Sequence, residues 1–357
     1  MQTPRTLSFK NEHFFIGVDA HLKNWKVTIR SNGLELKTFS LNPAPLELLS
    51  HLHKNYPDGI FHIVYEAGFC GFWALRIFKE HNIDCIIANP ADVPTSDKEK
   101  ANKSDPIDSR KLARELENKS LHGIYIPSPD LEELRMLMRL RYRIVQSQTR
   151  IKNRIKGLLY SQGILIPLQF SGRSRWSHAF ILWLGSLSMK SSAGEFTLQN
   201  LLVQLAEIRR HNTDILKQLR KEAKHNSIAS IINALMTVPG VAFITAMTLF
   251  TEIFDMNRFP SEDHLAAFIG LVPSIRSSDD TIKANSITKR QNAFLRYTMI
   301  ESAWTAVRED PAMTLKFKEL CQRMKSQDAI VRIAKKLTKR IRHVWLHRQE
   351  YQYALVA

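Results

Sequence analysis

Short apolar runs dominate the front of the chain and long helical stripes dominate the rest. Residues 14–19 (Phe14-Phe15-Ile16-Gly17-Val18-Asp19) read as a buried strand. After a turn, residues 25–30 alternate like a half-exposed strand, Ser31-Asn32-Gly33 is a hairpin signal, and residues 34–41 predict a third strand. Residues 45–56 carry helical spacing, residues 60–66 a fourth strand, 71–81 a helix and 84–88 a fifth strand. Asn89-Pro90 then opens a polar loop that runs to Ser104. Three antiparallel strands followed by strand, helix, strand, loop and helix is a mixed α/β layout, in the order of the ribonuclease H-like fold.

From Asp130 the period changes. Leu131, Leu134, Leu137, Met138, Ile144, Val145, Ile151, Ile155 and Leu158 keep helical spacing. A stripe of about thirty residues invites a helix hairpin or coiled coil. Residues 160–195 look irregular, with Pro167, Gly172 and Trp176, and 197–224 predict a second long helix returning antiparallel. From Ile228 the pattern reads helix, tight Pro239-Gly240 turn, helix, a helix-hairpin-helix-like arrangement whose backbone amides can face a phosphate. Helical stretches at 261–269, 291–307 and 311–347 complete an α-rich module. The expected organisation is an α/β domain over residues 1–125, a long-helix region over 126–227 and a C-terminal domain over 228–357.

Charge sharpens this division. The 357 residues carry a net charge of +17, which favours a polyanionic partner. Up to residue 125, sixteen Lys and Arg face fifteen Asp and Glu, whereas the remainder holds thirty-five against nineteen. The front is therefore nearly neutral and concentrates acids, and the back supplies the grip. Seven cations lie between Arg332 and Arg348, and Arg135 to Lys156 form a second basic helix; a solvated face is the bland reading of each, and contact with a phosphate backbone the better one. Three scattered cysteines, Cys70, Cys85 and Cys321, suit reduced thiols rather than a disulfide framework or zinc site. No secretory h-region, membrane-length apolar run, P-loop or dinucleotide fingerprint is visible. These patterns lead us to expect a cytoplasmic, nucleoid-associated protein.

Four carboxylates stand out within the neutral front. Asp19 and Glu66 each end an apolar strand, and Asp105 and Asp108 lie three apart at a helix start, hence on one face. Such a set can hold Mg²⁺ beside a phosphodiester, and a pair of ions can activate an attacking oxygen and stabilise a leaving one. Simpler roles compete: Asp105 before Pro106 is a good N-cap with Asp108 at its third position, and Asp19 suits a turn. A second constellation is a serine-rich loop, residues 270–280, followed by the basic start of a helix. Ser277 or Ser278 could attack phosphorus while Arg276, Lys283, Lys289, Arg290 and Arg296 hold the phosphate; phosphate contact or turn formation is the plainer role. Lys98, Lys100 and Lys103 would approach phosphate ahead of the Asp105 helix.

Taken together, Gly17-Val18-Asp19, Tyr65-Glu66-Ala67 and Asn102-Lys103-Ser104-Asp105 with Asp108 resemble the N-terminal domain of DEDD-type insertion-sequence transposases, a domain similar to the RuvC junction resolvase. Val238-Pro239-Gly240-Val241, Arg258-Phe259-Pro260-Ser261, Phe268 to Pro273, Ser277-Ser278, Ile287 to Arg290 and Leu295-Arg296 resemble the family's C-terminal transposase domain. The resemblance extends over residues 13–350 or so. It implies an RNA-guided DNA recombinase, with a guide RNA bridging target and donor DNA. By the same resemblance Asp19, Glu66, Asp105 and Asp108 bind Mg²⁺, and Ser278, with Ser277 as alternative, forms a phosphoserine link. The active site is then composite between protomers of a dimer that pairs into a tetramer. Two positions depart from the family pattern: its Ser-Gly reads Ser278-Asp279, and its Lys-Arg-Gly reads Lys289-Arg290-Gln291. A metal-dependent nuclease using water and a catalytically silent nucleic-acid binder are the rival readings.

Overall fold

The structure is a computed structural model. It describes residues 7–94, 105–172, 175–278, 281–287 and 292–353, with backbone alone at 105–107, 227 and 273–287. The chain divides into two compact units, residues 1–126 and 127–357.

The first unit is built on strands β1 (His13–Ala20), β2 (Trp25–Ser31), β3 (Leu34–Leu41), β4 (Ile60–Glu66) and β5 (Asp84–Ala88), in the order β3-β2-β1-β4-β5. β1 runs antiparallel to β2 and parallel to β4; β2 and β3 are antiparallel, and β4 and β5 are parallel. The expected hairpin between β2 and β3 is present: Asn32 and Gly33 both take positive φ (51° and 78°). That is what a two-residue turn matching strand twist demands. One sheet face carries Phe14, Ile16, Val18, Phe61, Ile63 and Tyr65, packed with Leu48 and Leu52 of α1 (Pro45–Asn55) and Leu75 and Phe78 of α2 (Trp73–Glu80). The opposite face carries Val64 and Ala88, which pack with Leu112 of α3 (Asp105–Glu117).

In the second unit, α4 (Pro129–Ser161) and α6 (Ser192–Glu222) pack along their lengths. Leu134 and Leu219 share one core, while Ile151, Ile155, Leu198 and Leu205 share another, so the two helices run antiparallel. The segment between them, expected to be irregular, includes the short helix α5 (His178–Gly185), whose Phe180 and Leu184 are fully buried. Helices α7 (Asn226–Met236), α8 (Phe243–Ile253), α9 (Glu262–Ile269), α10 (Ala293–Glu309), α11 (Pro311–Cys321) and α12 (Ser326–His347) form the main core, which also takes in Leu134, Met138 and Leu219.

Two expectations are corrected here. The stretch 311–347 is two helices, because a turn at residues 322–325 lets α12 fold back against α10 and α11 and bury Ile333, Leu337 and Ile341. A single straight helix could not lay both apolar stripes into one core. The serine-rich segment is a hairpin, β6 (Pro273–Ser278) with β7 (Thr281–Ile287), and not a loop. Its hydroxyl-rich composition hides a segment whose Ile275, Thr281, Ile282 and Ile287 favour extended backbone. Among the described residues, no helix is long and apolar enough to cross a membrane.

Candidate active site

Strand register brings Asp19 and Glu66 together. Val18 pairs with Tyr65 across parallel strands, so the next residues, Asp19 and Glu66, stand level at the C-terminal ends of neighbouring strands. Side chains alternate along a strand. Ile16 and Val18 face the α1–α2 core, so Gly17 and Asp19 belong to the other face; Tyr65 and Ile63 likewise leave Val64 and Glu66 on it. Both acids therefore lie on the face that α3 covers.

Gly17 sets how closely α3 can lie. A Cβ there would meet the Ser109 carbonyl oxygen at 2.2 Å and the Ala113 nitrogen at 2.5 Å, so only glycine permits this backbone contact. Side chains also fix the helix direction. Ser109 bonds Thr28 through its hydroxyl at 2.9 Å, and Arg30 Nε donates to Glu117 Oε2 at 2.8 Å. Thr28 pairs with Gly17 and Arg30 with Phe15. Moving from Glu117 back to Ser109 therefore follows β1 toward Asp19. The N-terminal turn of α3, with Asp105 first and Asp108 fourth, lies at the sheet end where Asp19 and Glu66 emerge. Pro106 at the second position suits a helix start.

The details are less symmetrical. Asp19 Oδ2 lies 3.1 Å from His21 Nε2, the aspartate side chain being 19% exposed and the histidine 43%. His21, two residues along the chain, is thus a direct neighbour of the acid. Glu66 and Asp108 are half-buried. Among the described residues no three His, Cys, Asp or Glu side chains lie close enough to form a metal cage; the Asp105 side chain is outside them. The donor chemistry still suits a hard cation: these are carboxylate oxygens, partly exposed, from three separate chain segments at one sheet end.

The serine hairpin belongs to the second unit. Ser278 pairs with Thr281, Ser277 with Ile282 and Arg276 with Lys283, which puts Ser278 at the last described position before the tip. Asp279, Asp280, Lys103, Lys289 and Arg290 lie outside the described residues. Arg296 sits half-buried in the first turn of α10. Both ends of the hairpin are anchored. Gly270 caps α9 in the left-handed conformation (φ 84°), and Leu271 is buried. At the far end Asn292 Oδ1 caps α10 by accepting from the Leu295 amide (3.0 Å), and its Nδ2 donates to Glu252 Oε2 (2.6 Å).

Glu252 is the residue that sequence reasoning missed. It is 2% exposed and receives both Arg139 Nε and Nη2 at 2.8 Å. That hydrogen bonding holds the Arg139 guanidinium above its ordinary range, while burial brings Arg135, stacked over Phe254, down to about 10. The signal was available: Glu252 is the one acid in the otherwise uncharged, apolar helix Phe243–Ile253, and a buried acid must find partners. The Val238-Pro239-Gly240 turn is also engaged, its Gly240 amide donating to Glu309 Oε2 at 3.1 Å.

Two family models match separate stretches of the chain. Residues 16–162 match the DEDD transposase family model of the IS110 type, and residues 232–318 match the model described as Transposase IS116/IS110/IS902 family. A putative transposase, y4qE, of Sinorhizobium fredii is 29% identical over 68% of this chain and 57% of its own length. A second from that organism, y4rJ, is 28% identical over 77% of this chain and 74% of its own. The transposase for insertion sequence element IS1111A of Coxiella burnetii is 28% identical over 66% of this chain and 65% of its own. The chain thus spans between somewhat over half and three quarters of these relatives.

Proposed function

Because this chain belongs to the DEDD insertion-sequence transposases, we propose that it is an RNA-guided DNA recombinase acting through a serine nucleophile. The observation that carries the reading is the level placement of Asp19 and Glu66 at adjacent parallel strand ends, on the face where α3 begins with Asp105 and Asp108. These four would hold Mg²⁺. Bound there, the ions neutralise charge on the scissile phosphate and lower the cost of deprotonating an attacking hydroxyl.

In the first step the Ser278 hydroxyl attacks phosphorus in line. The Oγ–P bond forms and the P–O3′ bond breaks. The serine proton leaves with a base or solvent, and the 3′ oxygen takes one up. The 5′ end is now esterified to the protein, and a free 3′ hydroxyl remains. A partner strand's 3′ hydroxyl then attacks the ester, restoring the phosphodiester and freeing the serine. Because bond energy is kept in the ester, the reaction needs no nucleotide triphosphate.

Guide RNA would select target and donor DNA by base pairing, and the basic helices would hold phosphate without reading sequence. The long helix pair would act as a coiled-coil-like support for RNA and for the second protomer of a dimer or tetramer. Residues 1–125, 126–227 and 228–357 would serve as metal-binding, bridging and strand-transfer parts. A phosphate reaching the helix-hairpin-helix-like turn would replace Glu309 at the Gly240 amide. We place the activity at the nucleoid.

A nuclease reading is favoured by one departure, the acids Asp279 and Asp280 after the serine; in it, water attacks and the hairpin only contacts DNA. One assay separates the readings. The chain is incubated with its element's non-coding RNA, cognate DNA and Mg²⁺, then denatured and examined for DNA bonded to protein. An adduct lost in Ser278→Ala, and retained in Ser277→Ala, supports recombination. Cleavage surviving both changes supports the nuclease, and binding without any strand chemistry supports a silent binder. Restoration of activity by mixing Asp19→Asn with Ser278→Ala protein would support a site shared between protomers.

A further inference from the structure

Helices α4, α8 and α10 line a pocket of about 630 Å³ that has no part in the chemistry above. Its walls combine rings, two arginines and one carboxylate, Glu301. Tyr142 and Phe294 lie with ring centroids 4.3 Å apart, inclined by 40°. Tyr297 lines the same pocket from the face of α10 that carries Phe294, and it is 58% exposed. Arg141 and Arg150 contribute positive charge, and Gln146 an amide. The Nε atom of Arg141 is buried and has no hydrogen-bond partner among the described residues.

We infer that this pocket receives one unpaired nucleobase of a nucleic-acid strand, stacked on Tyr297 and the Tyr142–Phe294 pair, with the Arg141 and Arg150 guanidinium groups facing its sugar-phosphate. The inference rests on the reading of the chain as a nucleic-acid enzyme and adds a site to it. Stacking platforms beside cations are how single strands are gripped without regard to sequence. The volume falls in the range of small-molecule sites, about 300–1,000 Å³, and a base can lay its face on these rings only after it has left its helix. Strand exchange and guide pairing both generate such bases. Phe294 follows Asn292 by two positions, so the captured base is held close along the chain to the point where the serine hairpin rejoins the helical body.

The test uses the full chain in EDTA, so that no strand chemistry intervenes. Fluorescein-labelled oligothymidylate, oligouridylate and a DNA duplex, each of about twelve units to match a typical single-strand site, are titrated by anisotropy. Binding of 2-aminopurine-substituted strands is followed by quenching. Single strands should bind more tightly than duplex, and stacking should quench 2-aminopurine. Tyr297→Leu should weaken single-strand binding about tenfold, abolish the quenching and leave duplex binding unchanged; Tyr297→Phe should keep both. Tyr142→Leu should act in the same direction as Tyr297→Leu. Tighter binding of oligothymidylate would identify DNA as the source of the base, and of oligouridylate RNA. Equal losses for duplex and single strand, or no loss, would overturn the pocket while leaving the recombinase reading intact. Failure to bind any of the three probes would instead overturn that reading.

Discussion

Asp19 and Glu252 are both carboxylates with a basic neighbour, and the fold treats them in opposite ways. Asp19 ends a strand beside His21, keeps 19% of its side chain exposed and stands level with a second acid. Glu252 is 2% exposed and is saturated by three donors from Arg139 and Asn292. The first arrangement concentrates negative charge where an external cation can reach it. The second neutralises charge internally and ties the serine hairpin's exit to a long helix. One acid stands partly exposed beside another acid; the other is buried and spent on cohesion.

That contrast can be broken from either side. The largest expected effect is chemical: Asp19→Asn or Glu66→Gln should lower strand cleavage at least about a thousandfold, with no loss of melting temperature. A fall in melting temperature matching the lost activity would make Asp19 a structural residue like Glu252. Arg139→Ala should show the reverse. Removing the bidentate partner leaves a carboxylate buried without its counter-charge, and urea denaturation should register about 3–5 kcal/mol of lost stability. Glu252→Gln, which removes the charge together with the need for it, should cost much less; equal costs would contradict the buried-charge account. Gly17→Ala should destabilise by about 3 kcal/mol through overpacking against the α3 backbone. It should also lower cleavage, because pushing α3 outward moves Asp105 and Asp108 away from Asp19; full activity in a stably folded Gly17→Ala protein would detach the α3 acids from the site. The smallest effect is expected at Asn292→Ala, about 1–2 kcal/mol from the lost cap and the lost bond to Glu252, read by thermal unfolding. Its serine adduct should form more slowly if the cap holds the hairpin, and at the normal rate if it does not.

Much of this was legible in the chain. The succession of strands and helices in the first unit followed from apolar runs and turn residues, and Asn32-Gly33 announced its hairpin. The acids at strand ends were visible because a charge terminates each apolar run. Other features were not legible because they depend on distant partners. A serine-rich segment gives no period-2 hydrophobic signal, so its pattern predicts a loop where the chain forms the β6–β7 hairpin. The break at residues 322–325 was hidden because helical spacing continues across it, and only the need to bury two stripes in one core forces the turn.

Local pattern alone determined the α/β front, the helical back, the separation of acidic and basic residues and the likeness of both parts to insertion-sequence transposases. These are properties of neighbouring residues, and periodicity or charge records them directly. Tertiary structure alone decided that Gly17 admits the α3 backbone and that Glu252 joins Arg139 to Asn292. Each joins residues far apart in sequence (Arg139 and Glu252 lie 113 positions apart), and such contacts are chosen by packing against excluded volume and by the cost of leaving buried charge unpaired, neither of which a linear pattern encodes.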